Sequence, residues 1–238
     1  MIKIYAFNIN EYINEKKIEE VSQKLDNYGS NIKRNFKFKE DLYSTTFGEV
    51  IVRLVLCKLL KLSNNELKFS RNDFGKPYLC NSSKYKFNIS HSGDWIVLAF
   101  SNYDIGIDIE RLSMLHLEVV NKFFAQDERD YIYNSDERNI KYRFFKIWTL
   151  KESYIKARGY GLSMELNKIN VCEKRYNNEY VENTITIKGK DNKTYYSKTY
   201  DFEKEYIVSI SSISNSFSNK IEKLSINDID VENLNKLF

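Results

Sequence analysis

One proline, eight glycines, two histidines and three cysteines are spread through 238 residues. Cys57, Cys80 and Cys172 are odd in number and lack metal-ligand spacing, which argues against a disulfide framework or a zinc site and for a reducing cytoplasm. No apolar run approaches the length that spans a bilayer, and Met1–Phe7 alternates like a strand without the apolar core of a signal peptide. A charge bias is missing too. Lys and Arg total 37 against 33 acidic residues, and the net charge of +4 is too small to mark a nucleic-acid binder, although it leaves room for a local basic pocket. What is present is core material. With 42% hydrophobic and 15% aromatic residues the chain can bury a sizeable interior, as one large domain or two lobes.

Helical spacing of Phe47, Val50, Ile51, Leu54, Val55 and Leu59 predicts a core helix over Leu42–Leu62, with Gly48 allowing a close neighbour. Upstream, Asn14–Leu25 has the pattern of a short charged helix, and Lys33, Arg34, Lys37 and Lys39 make a basic stretch whose simplest role is a solvated face. Phe69–Tyr78 ends a short strand in a turn, where Pro77 restricts Lys76 to an extended backbone and fixes the direction of its side chain. At Ser90-His91-Ser92-Gly93 a strand end brings hydroxyls, amides and an imidazole together, a set suited to an anion. An apolar strand, Ile96–Phe100, follows.

Ser101–Asp104 then turns the chain into Ile105–Glu110, where strand alternation puts Ile105, Ile107 and Ile109 on one face and Gly106, Asp108 and Glu110 on the other. Two neighbouring carboxylates repel unless solvent or a cation screens them, and Gly106 leaves space beside them for a ligand. His116–Asn134 is a plausible helix with Glu128 on its surface, and His116 is given a structural role. In the helix Tyr142–Arg158, capped by Gly159, Glu152 shares the stripe of Phe145, Trp148 and Ile155. A carboxylate taken from water without a partner costs several kcal/mol, so Glu152 needs a cation; Lys156, one turn on, is the simplest choice and a metal the other.

Strands are expected at Ile169–Cys172, Thr184–Lys188, Lys193–Asp201 and Tyr206–Ser212, and the polar tail beyond Ser214 is expected to fray or to form a small strand and helix. Each half therefore has a long helix followed by strands. This predicts an α+β fold of two similar lobes in a pseudo-two-fold arrangement, residues 1–103 and 104–238, with a ligand cleft between them.

Asp108, Glu110 and Glu152 could converge on one hard cation such as Mg²⁺, with Lys76, His91 and Lys156 placed to meet phosphate oxygens. The residues Phe74-Gly75-Lys76-Pro77, Phe87 to Gly93, Gly106 to Glu110 and Trp148 to Lys156 occur in this order. Together they resemble the motifs of the 4′-phosphopantetheinyl transferases, in particular the two-lobed type that activates surfactin synthetase. The resemblance covers nearly the whole chain.

It implies transfer of the phosphopantetheine arm of coenzyme A to a serine of an apo acyl or peptidyl carrier-protein domain, with release of adenosine 3′,5′-bisphosphate. It further implies Mg²⁺ at Asp108, Glu110 and Glu152, phosphate neutralisation by Lys156, and coenzyme A contacts from Lys76, Pro77, Ser90 and His91. Glu152 would take the serine proton directly or through water, with Glu128 a weaker candidate. One departure stands out, because Ser44 occupies a place where such proteins often have an arginine. The expected molecule is a cytoplasmic monomer that binds neither nucleic acid nor membrane. Two rivals remain, a Mg²⁺ phosphodiesterase using the same acids and a catalytically silent carrier-binding module.

Overall fold

The structure, a computed structural model, describes residues 2–12, 39–115, 117–161, 164–171, 184–188 and 192–225. The expected helix at Asn14–Leu25, the basic residues Lys33, Arg34 and Lys37, His116 and Cys172 lie outside the described residues. Strand β1 (Lys3–Asn8) is followed in the described chain by helix α1 (Lys39–Leu60), the short hairpin β2 (Phe69–Arg71) and β3 (Pro77–Leu79), and the hairpin β4 (Lys86–Ser92) and β5 (Trp95–Ser101). Then come β6 (Ile105–Arg111), helices α2 (Leu117–Phe123), α3 (Gln126–Tyr133) and α4 (Glu137–Arg158), strands β7 (Thr184–Lys188), β8 (Thr194–Phe202) and β9 (Tyr206–Ser212), and the two-residue β10 (Glu222–Lys223).

These strands make two four-stranded sheets, β10-β1-β5-β4 and β6-β9-β8-β7. The same path is run twice. In each, a first strand leads through helix to later strands, the last of which returns antiparallel beside the first: β5 beside β1, and β9 beside β6. This is the expected α+β fold of two similar lobes, each a sheet carrying a 22-residue helix. The tail returns to the first lobe, since β10 pairs parallel to β1.

The apolar run of β5 is explained by burial on both sides. Ile96, Leu98 and Phe100 join Phe7, Phe87 and the α1 residues Val50, Ile51, Leu54 and Val55 in one core. The alternate residues Val97 and Ala99 join Ile4, Ala6, Ile105, Ile107, Ile109, Val208 and Ile210 in another, so the inner faces of the two sheets share a core. Gly48 does permit close packing, because a Cβ there would lie 3.0 Å from Ile89 Cδ1.

Helix α4 lies on the outer face of the second sheet. Asp136 caps its N-terminus by accepting from Asn139 N at 2.9 Å, and Gly159, at φ 73°, ends it in the left-handed conformation with Lys156 and Arg158 in the last turn. Its approach to β6 is unusually close: a Cβ on Gly106 would fall 2.1 Å from Ser153 O and 2.2 Å from Ala157 N. The space that Gly106 was expected to leave for a ligand is therefore filled by the backbone of α4. Buried hydroxyls complete the contact, Thr149 Oγ1 with Ser209 Oγ and Ser153 Oγ with Ser211 Oγ, both at 2.8 Å.

Two expectations need correction here. The single helix His116–Asn134 is two helices, because the Glu128 carboxylate reaches back to accept from Ala125 N at 2.7 Å and begins α3 as a new helix. Ile169–Val171 are not a strand; a 3-10 turn, Leu166–Lys168, precedes them.

Candidate active site

Strands β4 and β6 are edges of different sheets, and side chains rather than a backbone ladder join them. Ile107 N donates to Asn88 Oδ1 at 2.8 Å, Ser90 Oγ donates to Asp108 Oδ1 at 2.9 Å, and Ser92 Oγ donates to Glu110 Oε2 at 3.1 Å. Alternation on both strands produces this seam, with Asn88, Ser90 and Ser92 meeting the face of Asp108 and Glu110. Helix α4 adds the third side. Lys156 Nζ lies 2.6 Å from Asp108 Oδ1 and donates to Ser90 Oγ at 2.9 Å. The pairing with Glu152 inferred from helical spacing is not formed. Its ammonium lies near enough to draw on the Glu152 carboxylate, but the hydrogen bonds go across the seam to β4 and β6.

The three elements open into a pocket of about 810 Å³. Ser90, His91, Asp108, Glu110, Glu152 and Lys156 all line it, so the structure brings together six of the predicted site residues. Phe123, Trp148, Met164 and Leu166 give it an apolar side. His91 is exposed there. Lys76 and Pro77 do not line the pocket. The Lys76 ammonium donates to Ile105 O at 2.8 Å, Lys156 O at 2.6 Å and Ala157 O at 3.4 Å, and burial lowers its pKa to about 8. It thus ties the turn of the first lobe to β6 and to the last turn of α4, where Asn72 Nδ2 also donates to Gly159 O at 2.8 Å. Pro77 opens β3, paired with Arg71.

At the seam the carboxylates of Asp108, Glu110 and Glu152 gather around the Lys156 ammonium, and the imbalance is visible. Burial, then the charge of Asp108, push Glu110 up to about 7 against the donors Ser92 and Trp148 and the charge of Lys156. The same two causes raise Glu152. Asp108 Oδ2 is buried and has no hydrogen-bond partner among the described residues. A cation supplied from outside would answer all three observations, and oxygen donors of this kind suit a hard divalent ion. Among the described residues no closed cage of three or more acidic, His or Cys side chains is formed. An ion that keeps several waters and takes oxygens from a bound phosphate does not need one.

Glu128 was expected at the surface and as a weaker candidate for the proton acceptor. It is instead fully buried, 2.7 Å from the equally buried ammonium of Lys151, and does not line the pocket. Ser44 is buried in α1, and Lys122 and the stretch Met164–Asn167 line the pocket without having been singled out in the sequence. No periodic pattern marks Met164–Asn167; its only sequence signal is its place just after the Gly159 helix stop.

Residues 104–211 match the family described as the 4'-phosphopantetheinyl transferase superfamily, and residues 14–102 match 4'-phosphopantetheinyl transferase, N-terminal. The chain is 29% identical over 229 residues to the 4'-phosphopantetheinyl transferase Sfp of Bacillus subtilis (strain 168), covering 96% of this chain and 100% of that one. It is 33% identical to the 4'-phosphopantetheinyl transferase gsp of Aneurinibacillus migulanus, covering 84% and 79%. The human L-aminoadipate-semialdehyde dehydrogenase-phosphopantetheinyl transferase is 27% identical over 74% of this chain and 62% of its own length.

Proposed function

This chain belongs to the 4′-phosphopantetheinyl transferase superfamily, and from that premise we propose that it transfers the phosphopantetheine arm of coenzyme A to a serine of an apo carrier-protein domain. The observation that carries this reading at the site is the seam itself. Asp108 and Glu110 of β6, Glu152 and Lys156 of α4, and Ser90 and His91 of β4 line a single pocket.

In the proposed reaction the serine oxygen bonds to the phosphorus that bears the pantetheine arm, and the bond from that phosphorus to the bridging oxygen breaks. Adenosine 3′,5′-bisphosphate leaves with the electron pair. The serine proton goes to Glu152 or to a water it holds, since burial and the Asp108 charge raise that carboxylate above its ordinary value and make it a better proton acceptor. Lys156 gives its ammonium to the phosphates, with Ser90 and His91 beside it, which lowers the cost of the charge that gathers there. Lys76 and Pro77 are the proposed coenzyme A contacts outside the pocket; to reach a phosphate the Lys76 ammonium must exchange one of its carbonyl partners. Asp108, Glu110 and Glu152 would hold Mg²⁺, which when bound neutralises the diphosphate and stabilises the leaving group.

The proposed division into lobes falls at 103/104, with the molecule acting as a cytoplasmic monomer on a soluble carrier. No helix among the described residues is long and apolar enough to cross a membrane. The test is to incubate the purified protein with coenzyme A, Mg²⁺ and a panel of apo carrier domains and to read intact mass. A gain of about 340 Da on a carrier, abolished by replacing its serine and by excess EDTA, is expected. No gain on any carrier despite saturable coenzyme A binding would overturn the reading.

A further inference from the structure

Lys151 stands in the middle of α4, one turn after Ile147 and one turn before Ile155, on a stripe that is otherwise apolar. A charged side chain there is fully buried, as is its partner Glu128 on α3. The bonds of the pair go to main chain. Lys151 Nζ donates to Leu166 O at 2.8 Å and to Ile169 O, while Glu128 accepts from Val171 N at 2.8 Å and from Ala125 N at 2.7 Å. Residues 164–171 have no regular structure beyond one 3-10 turn, within which Lys168 N donates to Glu165 O and Ile169 N to Leu166 O, so Ile169 O and Val171 N look outside the stretch for partners. The pair supplies them from two helices, and the stretch it fixes begins at Met164–Asn167, one side of the active-site pocket.

We propose that Glu128 and Lys151 are a positioning pair for that wall, and that the wall governs how the acceptor serine of the carrier domain is seated rather than how coenzyme A is held. The part of this that concerns the carrier rests on the function proposed above. The wall offers Met164, Glu165, Leu166 and Asn167, without a cation, so it brings no positive charge to the phosphates assigned above to Lys156, Ser90 and His91. The pair is the buried polar anchor of this wall, beside the packing of Leu166, Ile169 and Val171 in the core and an exposed tie from Asn170 Nδ2 to Asp127 Oδ2 at 2.9 Å. A wall that shifts leaves the diphosphate bound but loosens the other reactant, and misplacement of a nucleophile by even an ångström is costly in rate.

Glu128→Gln keeps the shape of the side chain and removes its charge, which leaves Lys151 without a counter-charge. In the full-length folded variant, hydrogen–deuterium exchange at amides 166–171 is expected to rise at least tenfold over the wild type, with exchange in β6 and β9 unchanged. The KM for the carrier should rise at least fivefold, and the Kd for coenzyme A, measured by calorimetry, should stay within about twofold. Should Glu128→Gln fail to fold, Glu128→Asp carries the same test, because it keeps the charge and shortens the reach by one methylene. Unchanged exchange at 166–171, or a coenzyme A Kd that weakens in step with the carrier KM, overturns the proposal. The exchange measurement needs no turnover. If the wild type transfers no arm, the functional reading falls, while exchange still decides whether the pair holds the wall.

Discussion

Asp108 serves two partners with one oxygen and leaves the other, buried, with none among the described residues. Its charge is felt by both neighbouring acids, and the response of Glu110 can be measured. The ordinary value for that carboxyl is 4.5 and its folded value about 7, so the folded protein binds more protons between those limits than the unfolded chain does. Stability from this group is present below 4.5 and is lost as pH rises through 7. Glu110→Gln has no proton to lose, so it should gain on the wild type by about 2 kcal/mol between pH 5 and pH 8, after allowance for partial exposure. Urea denaturation at the two pH values, without divalent ions, checks this; a constant difference would place Glu110 in ordinary solvent. Millimolar Mg²⁺ should reverse the order at pH 8, because the wild-type carboxylate then becomes a ligand. Glu152→Gln is the companion test of chemistry. Loss of the proposed proton acceptor should lower kcat roughly a hundredfold or more with the unfolding midpoint retained, and normal turnover would remove Glu152 from the mechanism.

At the scale of elements, α4 is held by features that differ in how openly the sequence displays them. The spacing of Trp148, Glu152, Ile155 and Lys156, with Gly159 as the stop, made both the helix and its acid legible. The alternation in β6 likewise separated Asp108 and Glu110 from the apolar isoleucines. Neither pattern could say that Lys156 reaches Asp108 across the seam, since helical spacing shows only neighbours on the same helix and Glu152 was the nearer choice in sequence. Lys151 was legible in principle, four residues from both Ile147 and Ile155, but its partner lies on another helix. Gly106 invited the reading of open space because a sequence records a missing Cβ and not what fills the gap. Gly106→Ala would drive a methyl into main-chain atoms of α4 that cannot yield as a side chain would, and it should cost at least about 3 kcal/mol or prevent folding. Thermal denaturation of the purified variant decides this. Lys76→Met tests the same last turns of the helix from the side of the first lobe. It removes the donor shared by carbonyls of β6 and α4 and should lower stability by about 1–2 kcal/mol in urea. Equal stability would mean that water replaces the ammonium without loss.

Over the whole molecule, the two lobes were legible as a repeated helix-and-strand order, but the way they join was not. Ile4, Ala6, Val97 and Ala99 of the first sheet share one core with Ile105, Ile107, Ile109, Val208 and Ile210 of the second. Each lobe would expose that face if it opened alone, and the return of β10 to β1 adds a further tie. The chain should therefore unfold as one unit. It contains only two tryptophans, one in each proposed lobe. The Trp95 ring meets Phe202 of the second sheet at 4.8 Å, and Trp148, which lines the pocket, lies parallel to Phe144 of the second core at 6.3 Å. In Trp148→Phe the fluorescence of Trp95 reports the first lobe, and in Trp95→Phe that of Trp148 reports the second. Each fluorescence transition in urea should coincide with the far-ultraviolet dichroism of the same variant, because the shared face cannot be exposed on one side only. Transitions separated by more than roughly 0.5 M would show that the seam of Asn88, Ser90 and Ser92 opens before the lobes do. The pocket would then be a joint between separately stable lobes, and its acids would be set by the docking of those lobes rather than by a common fold.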